Sequence, residues 1–476
     1  MQRSLGAGSV VLAAGAFAEK GTFVTDLLIE HPGPLVELES SDTAATADQT
    51  PPIPGRPAWD GDPGLPSHRP SHRDLVRPLP GPGTADRSGR VGAIVVPTSR
   101  SLDDAGNGIR LAVELAGAHA CQLVVLCSGR ARSEGFPRDL AGSCPQGVAV
   151  VDFPVGEELL PRFATSRRLL STALRSDRDL GDKRNLGLLL AVRAGLRTVL
   201  FLDDDVRALP LPNGRGTRTT PGTARTLDPD QLADAVAHLL DGGDTGAVGW
   251  TLTDFDDNSV VCHTRRALGM PQEQFIGGGA LLVKITEELP FFPRIYNEDW
   301  LFMFELMWRR GNRGELAEAG NVLQDAYDPF LPERARSEEL GDILAEGLFS
   351  LLHRGDDPAD PERFMKDESY WQGVLERRED MTNHMLKMIE STETIAPETR
   401  ERMTAVLEAA EEIRSCVRPG SFVDFLRSWS DDLLTWREHL RRARSTPLYE
   451  NYGLDRRTRW LSGGSPERFG WVDGLQ

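Results

Sequence analysis

No apolar run among the 476 residues approaches the ~20 that a membrane-spanning helix needs, so no transmembrane segment is expected. Basic charge is also short, since 54 Lys and Arg against 72 Asp and Glu give a net charge of -18. Proteins that hold nucleic acid non-specifically rely on a surplus of Lys and Arg against phosphate. Nucleic acid is therefore not an expected partner, and any phosphate must be gripped locally. Cysteine is sparse: Cys121, Cys127, Cys144, Cys262 and Cys416 are odd in number and lack metal-ligand spacing. They read as reduced thiols in a reducing compartment. Residues 5–18 are mildly apolar and end in Ala16-Phe17-Ala18, the form of a signal-peptidase site, but glycines interrupt them and the basic region is only Arg3. A cytoplasmic location is the expectation. Internal repeats are missing as well.

What the chain does have is an apolar run that ends abruptly in charge, Thr198-Val199-Leu200-Phe201-Leu202-Asp203-Asp204-Asp205. Its β-favouring residues spell a buried strand, and the acids begin where such a strand would leave its sheet. In open α/β sheets, ligands collect at those carboxyl ends. Three adjacent carboxylates raise one another's pKa unless a cation sits among them. The natural occupant is a hard divalent ion carrying an anionic ligand, a metal-bridged phosphate. A solvated acidic turn is the bland alternative.

Around this run the chain divides in three. Residues 1–90 form an N-terminal arm with a Gly/Ala-rich start, a short strand over 23–29 and a Pro/Gly-rich tract over 50–89. That tract reads as a linker, because it buries too little apolar surface to offset its chain entropy. Residues 91–330 alternate apolar strand-like runs with helices over about 105–119, 182–195 and 228–240, the pattern of parallel βαβ units. Asp228-Pro229 supplies an N-cap and a Pro at N1, and Gly195 suits a helix stop. The Pro, Gly, Thr and Arg segment over 207–226 reads as disordered or as a lid, and Asp254, Asp256 and Asp257 as a surface turn. Taken alone, Lys183 and Arg184 read as solvated charges. Gly277-Gly278-Gly279, ahead of an apolar strand, implies a close backbone approach, positive φ or a tight turn. Glu298-Asp299-Trp300 opens an apolar helix; its acids complement the helix dipole, and a carboxylate there is also a well-placed general base. Residues 331–476 read as helical, over 337–352, 361–389, 397–416 and 421–444. The Arg-rich end from Arg437 to Arg459, with Trp436, Tyr449, Tyr452 and Trp460 interleaved, reads as a solvated helix face that offsets the acidic remainder, the alternative being a grip on a phosphorylated acceptor or an anionic surface.

In order as well as content, these segments resemble the glycosyltransferase family 2 type of nucleotide-sugar transferase over about residues 91–330. Val95-Val96-Pro97-Thr98 looks like its opening strand and Pro-Thr turn, and Lys183-Arg184-Asn185 like its basic helix start. Phe201-Leu202-Asp203-Asp204-Asp205 resembles the DxD motif, Gly277-Gly278-Gly279-Ala280 the Gly-rich acceptor-side segment, and Glu298-Asp299-Trp300 the Glu-Asp-Trp motif. The resemblance implies the GT-A fold, a Rossmann-like mixed, mostly parallel sheet flanked by helices, here followed by a helical C-terminal region. It implies a nucleotide-diphosphate sugar donor and a hydroxyl-bearing acceptor, whether small molecule, glycan or lipid-linked. Mn²⁺ or Mg²⁺ would be held by Asp203 and Asp205. Pro97, Thr98, Arg184, Asn185, Asp203, Asp204, Gly278 and Gly279 would bind the donor. Asp299 would act as base with Glu298 in support, and transfer would invert the anomeric centre.

The chain departs from the family where Leu126-Cys127-Ser128-Gly129 replaces the usual acid that meets the nucleobase. A metal-completing His is also missing; Gln324 and Asp325 stand near its place, with His353 farther along. Rival readings are a sugar-phosphate nucleotidyltransferase, which lacks its Gly-rich basic signature here, and a haloacid-dehalogenase phosphatase, which would need Thr or Val where Arg207 stands. The rival from another class is a non-catalytic nucleotide-sugar or glycan-binding protein on the same scaffold.

Overall fold

The structure, a computed structural model, describes residues 75–79, 89–102, 106–153, 159–169, 179–208, 226–241, 243–253, 259–270, 276–308, 316–325, 328–353, 361–444 and 453–472. The expected strand over 23–29, most of the 50–89 tract, the 209–225 part of the loop, and Asp254, Asp256 and Asp257 lie outside these residues.

Strand β1 (Val76–Pro78) comes first, then β2 (Ala93–Thr98), α1 (Gly106–His119) and β3 (Gln122–Cys127). After the short α2 (Arg138–Ala141) come β4 (Val148–Asp152), α3 (Ala164–Leu169), α4 (Leu180–Arg193) and β5 (Thr198–Leu202). The chain continues through β6 (Val206–Arg207), α5 (Pro229–Leu240), β7 (Ala247–Thr253) and α6 (Val260–Ala267). Next are β8 (Ile276–Lys284), α7 (Glu298–Trp308) and β9 (Leu316–Gln324). Helices α8 (Pro332–Leu352), α9 (Pro361–Met365), α10 (Glu368–Ser391), α11 (Pro397–Arg414) and α12 (Pro419–Ala443) precede the closing strand β10 (Thr458–Leu461).

The strands lie in one mixed sheet, in the order β1-β9-β7-β8-β5-β2-β3-β4-β10, with β6 on β9. β5, β2, β3 and β4 run parallel, while β8 is antiparallel to its neighbours β5 and β7. Parallel strands are covered on both faces and so read as unbroken apolar runs, and every residue of β2 and β5 is buried. From β2 the chain crosses to β3 on one side, while β5 pairs on the other. The carboxyl ends of β2 and β5 therefore flank a topological switch point, where such sheets bind ligands. Helix α4 is buried from Gly181 to Val192, and Gly195, at φ +65, ends it as expected. This mixed, mostly parallel sheet with flanking helices and a helical C-terminal region is the architecture that the sequence implies.

The edges of the sheet differ from expectation. Three residues of the supposed linker tract form β1, pairing in parallel with β9, and Leu79 N donates to Glu318 O at 2.8 Å. The helical C-terminal region ends in β10, antiparallel to β4. Both are edge strands, of three and four residues, too short to show a period-2 pattern. The helix expected over 361–389 is two, α9 and α10, with Asp367 capping the second through Ser369 N. Part of the helical region shares the core of the sheet, since Trp371, Trp429 and Trp436 belong to the same buried cluster as Val95 and Phe201; a second cluster, with Met381, Met385, Met403 and Leu407, is built by α8, α10 and α11 with α6. Trp436 and Arg437 are buried, against the expected solvated face, with Trp436 Nε1 donating to Pro290 O at 3.0 Å and Arg437 paired with Glu305 at 2.7 Å. All five cysteines are free thiols. Among the described residues no helix is long and apolar enough to cross a membrane.

Candidate active site

The acid block leaves the sheet where β5 ends beside β2 and β8. Asp203 N donates to Gly279 O at 2.8 Å, which fixes the block against the glycine strand. Thr98, the last residue of β2, donates its hydroxyl to Asp204 Oδ2 at 2.5 Å. Two residues on, Arg100 lies 2.6 Å from Asp205 Oδ2 and 3.4 Å from Asp204 Oδ1. The start of α1 abuts the same backbone: Gly108 N donates to Asp204 O at 3.2 Å, and a Cβ at Gly108 would come within 2.5 Å of the Asp203 and Asp204 carbonyl oxygens. Burial pushes the Asp204 carboxyl up to about 6 against the pull of Thr98 and Arg100, and it raises Asp205 too.

Helix α4 delivers two buried cations to this point, in place of the solvated charges expected. Lys183 Nζ donates to Thr98 O at 2.8 Å and pairs with Asp179 at 3.0 Å. Arg184, only 2% exposed, reaches both oxygens of Asp203, at 2.8 and 3.1 Å, and Glu298 Oε1 at 2.7 Å. It thus ties the acid block to the start of α7. Asn185, expected on the donor side, turns to the scaffold. Its amide donates to Phe292 O and accepts from Phe292 N, both at 2.8 Å. Pro97 is a buried residue of β2 paired with Leu126.

The three glycines of β8 settle their own ambiguity, since none has positive φ and each makes room for a charged group. A Cβ at Gly277 would sit 3.3 Å from Asp299 Oδ2, at Gly278 2.6 Å from Arg184 Nη1, and at Gly279 3.4 Å from Asp203 Oδ2. Gly278 N also donates to Asp299 Oδ2, while Trp300 N donates to Asp299 Oδ1 at 2.9 Å. Burial raises the Glu298 carboxyl to about 8 despite the guanidinium of Arg184, and raises Asp299 as well. Four carboxyls, Asp203, Asp204, Asp205 and Glu298, pair with the guanidiniums of Arg100 and Arg184, and Asp299 adds a fifth charge within the field of Arg184. At an effective dielectric of ~20, two carboxylates ~4 Å apart repel by about 4 kcal/mol, so the surplus negative charge attracts a further cation.

Among the described residues, no three His, Cys, Asp or Glu side chains converge as a metal centre. The acid block has a different kind of donor beside it. Gln324, the last residue of β9, sets its amide nitrogen 3.4 Å from Asp205 Oδ2, and its amide oxygen is buried with no hydrogen-bond partner. A carboxylate, a neutral oxygen and incoming phosphate oxygens make a donor set suited to Mg²⁺ or Mn²⁺. The residues therefore fit such an ion. Asp325 N donates to Asp205 O at 2.9 Å, its side chain pairs with Arg207 at 3.0 Å, and His353 caps α8.

The structure thus gathers Thr98, Arg184, Asp203, Asp204, Asp205, Gly278, Gly279, Glu298 and Asp299 around one point. Sequence reasoning missed Arg100 and Gly108. The Gly106-Asn107-Gly108 start of α1, poor for a helix, was the available sign of a close approach. Arg100 carries no such mark.

No protein-family model matches the chain, and no curated protein matches it. Solved structures of glucosyl-3-phosphoglycerate synthase from Mycobacterium tuberculosis are similar. One, in complex with Mn²⁺, UDP and phosphoglyceric acid, is 18% identical, with a TM-score of 0.34 over 60% of this chain and 88% of that chain. Another, in complex with Mg²⁺ and UDP, is 18% identical, with a TM-score of 0.34 over 60% of this chain and 89% of that chain. A structure described as a mycobacterial protein is 17% identical, with a TM-score of 0.34 over 59% and 81% of the two chains.

Proposed function

We propose that this chain is a metal-dependent glycosyltransferase that moves a sugar from a nucleotide-diphosphate sugar to a hydroxyl acceptor with inversion. The observation that carries the reading is the single charged system at the switch point, in which Arg184 joins Asp203 to Glu298 across the glycine strand. A donor diphosphate would lie by the acid block, held through Mn²⁺ or Mg²⁺ on Asp205 and Asp203. When bound, the ion supplies neutralisation of the departing diphosphate. Thr98 fixes the direction of Asp204. Gly278 and Gly279 let the donor approach the strand closely, since neither presents a side chain.

Asp299 would take the proton from the attacking hydroxyl. Burial makes it a stronger base than an ordinary aspartate, while the two backbone N–H groups on its oxygens hold its orientation. Glu298, held by Arg184, keeps α7 in register with the acid block. Displacement from the side opposite the leaving group inverts the anomeric centre. A phosphatase reading is disfavoured by Arg207, which pairs with Asp325. A pure binding protein would not need a buried base.

The test is a thermal-shift panel of UDP-, GDP-, TDP- and CMP-sugars with and without Mn²⁺, because a ligand that binds only the native state raises its melting temperature. One donor class should stabilise the wild type in a Mn²⁺-dependent way, and Asp203→Ala with Asp205→Ala should abolish that shift. Retained metal-dependent stabilisation in the double variant would sink the site assignment.

A further inference from the structure

Arg100 and Arg184 hold the same acid block in different ways. Arg184 is sealed at 2% exposure and grips Asp203 with two contacts and Glu298 with a third. Arg100 is 43% exposed and rests on Asp205 at 2.6 Å and Asp204 at 3.4 Å. Ion pairs with one partner in water are weak, so Arg100 can leave at little cost while Arg184 cannot. The oxygen that Arg100 covers, Asp205 Oδ2, is also the one that Gln324 faces. Gln324 is 6% exposed, and its amide oxygen lacks any hydrogen-bond partner. A half-turn of the amide would set that oxygen toward Asp205 Oδ2, an arrangement that repels unless a cation lies between the two.

We propose that Arg100 competes with a divalent ion for Asp205. Asp205 and Gln324 would hold the ion, and Arg100 would then be free for the anionic donor. This inference rests on the metal-dependent reading above and adds its loading step. An acid block that kept its arginine would repel the ion; one with no cation at all would meet unscreened repulsion between Asp204 and Asp205.

The test titrates the full chain with Mn²⁺ alone and measures free Mn²⁺ by electron paramagnetic resonance, for wild type, Arg100→Gln and Gln324→Leu. Arg100→Gln should bind Mn²⁺ about tenfold more tightly than wild type, because a competing cation is gone. Gln324→Leu should bind it several-fold more weakly. In EDTA, Arg100→Gln should melt below wild type, and Mn²⁺ should raise its melting temperature more than it raises that of wild type. Equal or weaker Mn²⁺ binding by Arg100→Gln overturns the exchange while leaving the metal-dependent reading in place. Unchanged binding by Gln324→Leu overturns the part given to Gln324. Absence of Mn²⁺ binding by wild type and Arg100→Gln alike overturns the exchange, and the metal-dependent reading falls with it only if Mn²⁺ also adds no stabilisation by any nucleotide-sugar.

Discussion

The acid block and a second ionic cluster, under the C-terminal helices, contain the same residue types and behave as opposites. In the second, Arg378 of α10 donates to both oxygens of Glu339, at 2.8 and 2.7 Å, and to Asp342 at 2.7 Å. Asp342 also accepts from Ser259 at 2.8 Å and Asn297 at 3.1 Å. Arg378, Glu339 and Asp342 are each about 5% exposed or less. At the acid block four carboxyls pair with two guanidiniums, one of them half exposed, a fifth lies in the field of Arg184, and an amide oxygen is left over. A cluster in which every carboxyl oxygen accepts from a donor of its own chain, as those of Glu339 and Asp342 do, specifies structure. One left short of cations by its own chain holds protons or draws a cation from outside. Counting acids would not separate the two; counting their partners does.

The largest effect that tests this contrast belongs to the incomplete cluster. Asp299→Asn should leave Mn²⁺-dependent nucleotide binding intact and lower transfer by up to about 10⁴-fold, the reach of a positioned general base. Turnover and thermal shift measured side by side check it, and an active variant would place the base elsewhere. In the complete cluster, Arg378→Leu strands Glu339 and Asp342 without their cation, and should cost about 3–5 kcal/mol of stability. Urea unfolding measures that loss, while the molecules still folded should keep their Mn²⁺ affinity. A variant as stable as wild type would show that the matched charges are dispensable. The two clusters do touch: Asn297, held by Asp342, sits at φ +62 just before Glu298. A loss of turnover beyond the loss of folded protein in Arg378→Leu would mean that the structural cluster also aims α7.

Much of this was legible in the chain. The parallel core showed because strands such as β2 and β5 are buried on both faces and must be apolar throughout. The acid block, the glycine run and the acids opening α7 stood out because each breaks an apolar pattern abruptly. What stayed hidden depended on distant partners. Nothing local distinguishes the buried Lys183 and Arg184 from surface charges, because their burial is made by Thr98, Asp203 and Glu298 from other elements. Asn185 looked like a ligand-facing residue because its role, a clamp on Phe292, lies more than a hundred positions away. Strands β1 and β10 were missed because a few residues at a sheet edge carry little periodicity.

The smallest expected effect is the most direct measure of how complete the pairing around Arg184 is. Burial raises Glu298 from an ordinary 4.5 to about 8. Between those values the folded protein holds a proton that the unfolded chain releases. Glu298 therefore contributes stability that is fully present below the ordinary carboxylate range and is lost as pH rises through about 8. Glu298→Gln cannot take up or release that proton. Urea midpoints measured across this range should show the difference between the variants moving in favour of Gln as the pH rises. A pH-independent difference would mean that Arg184 keeps Glu298 ionised throughout. The acids around Arg184 would then form a closed set like those of Arg378, leaving only Asp204 and Asp205 to call in a cation.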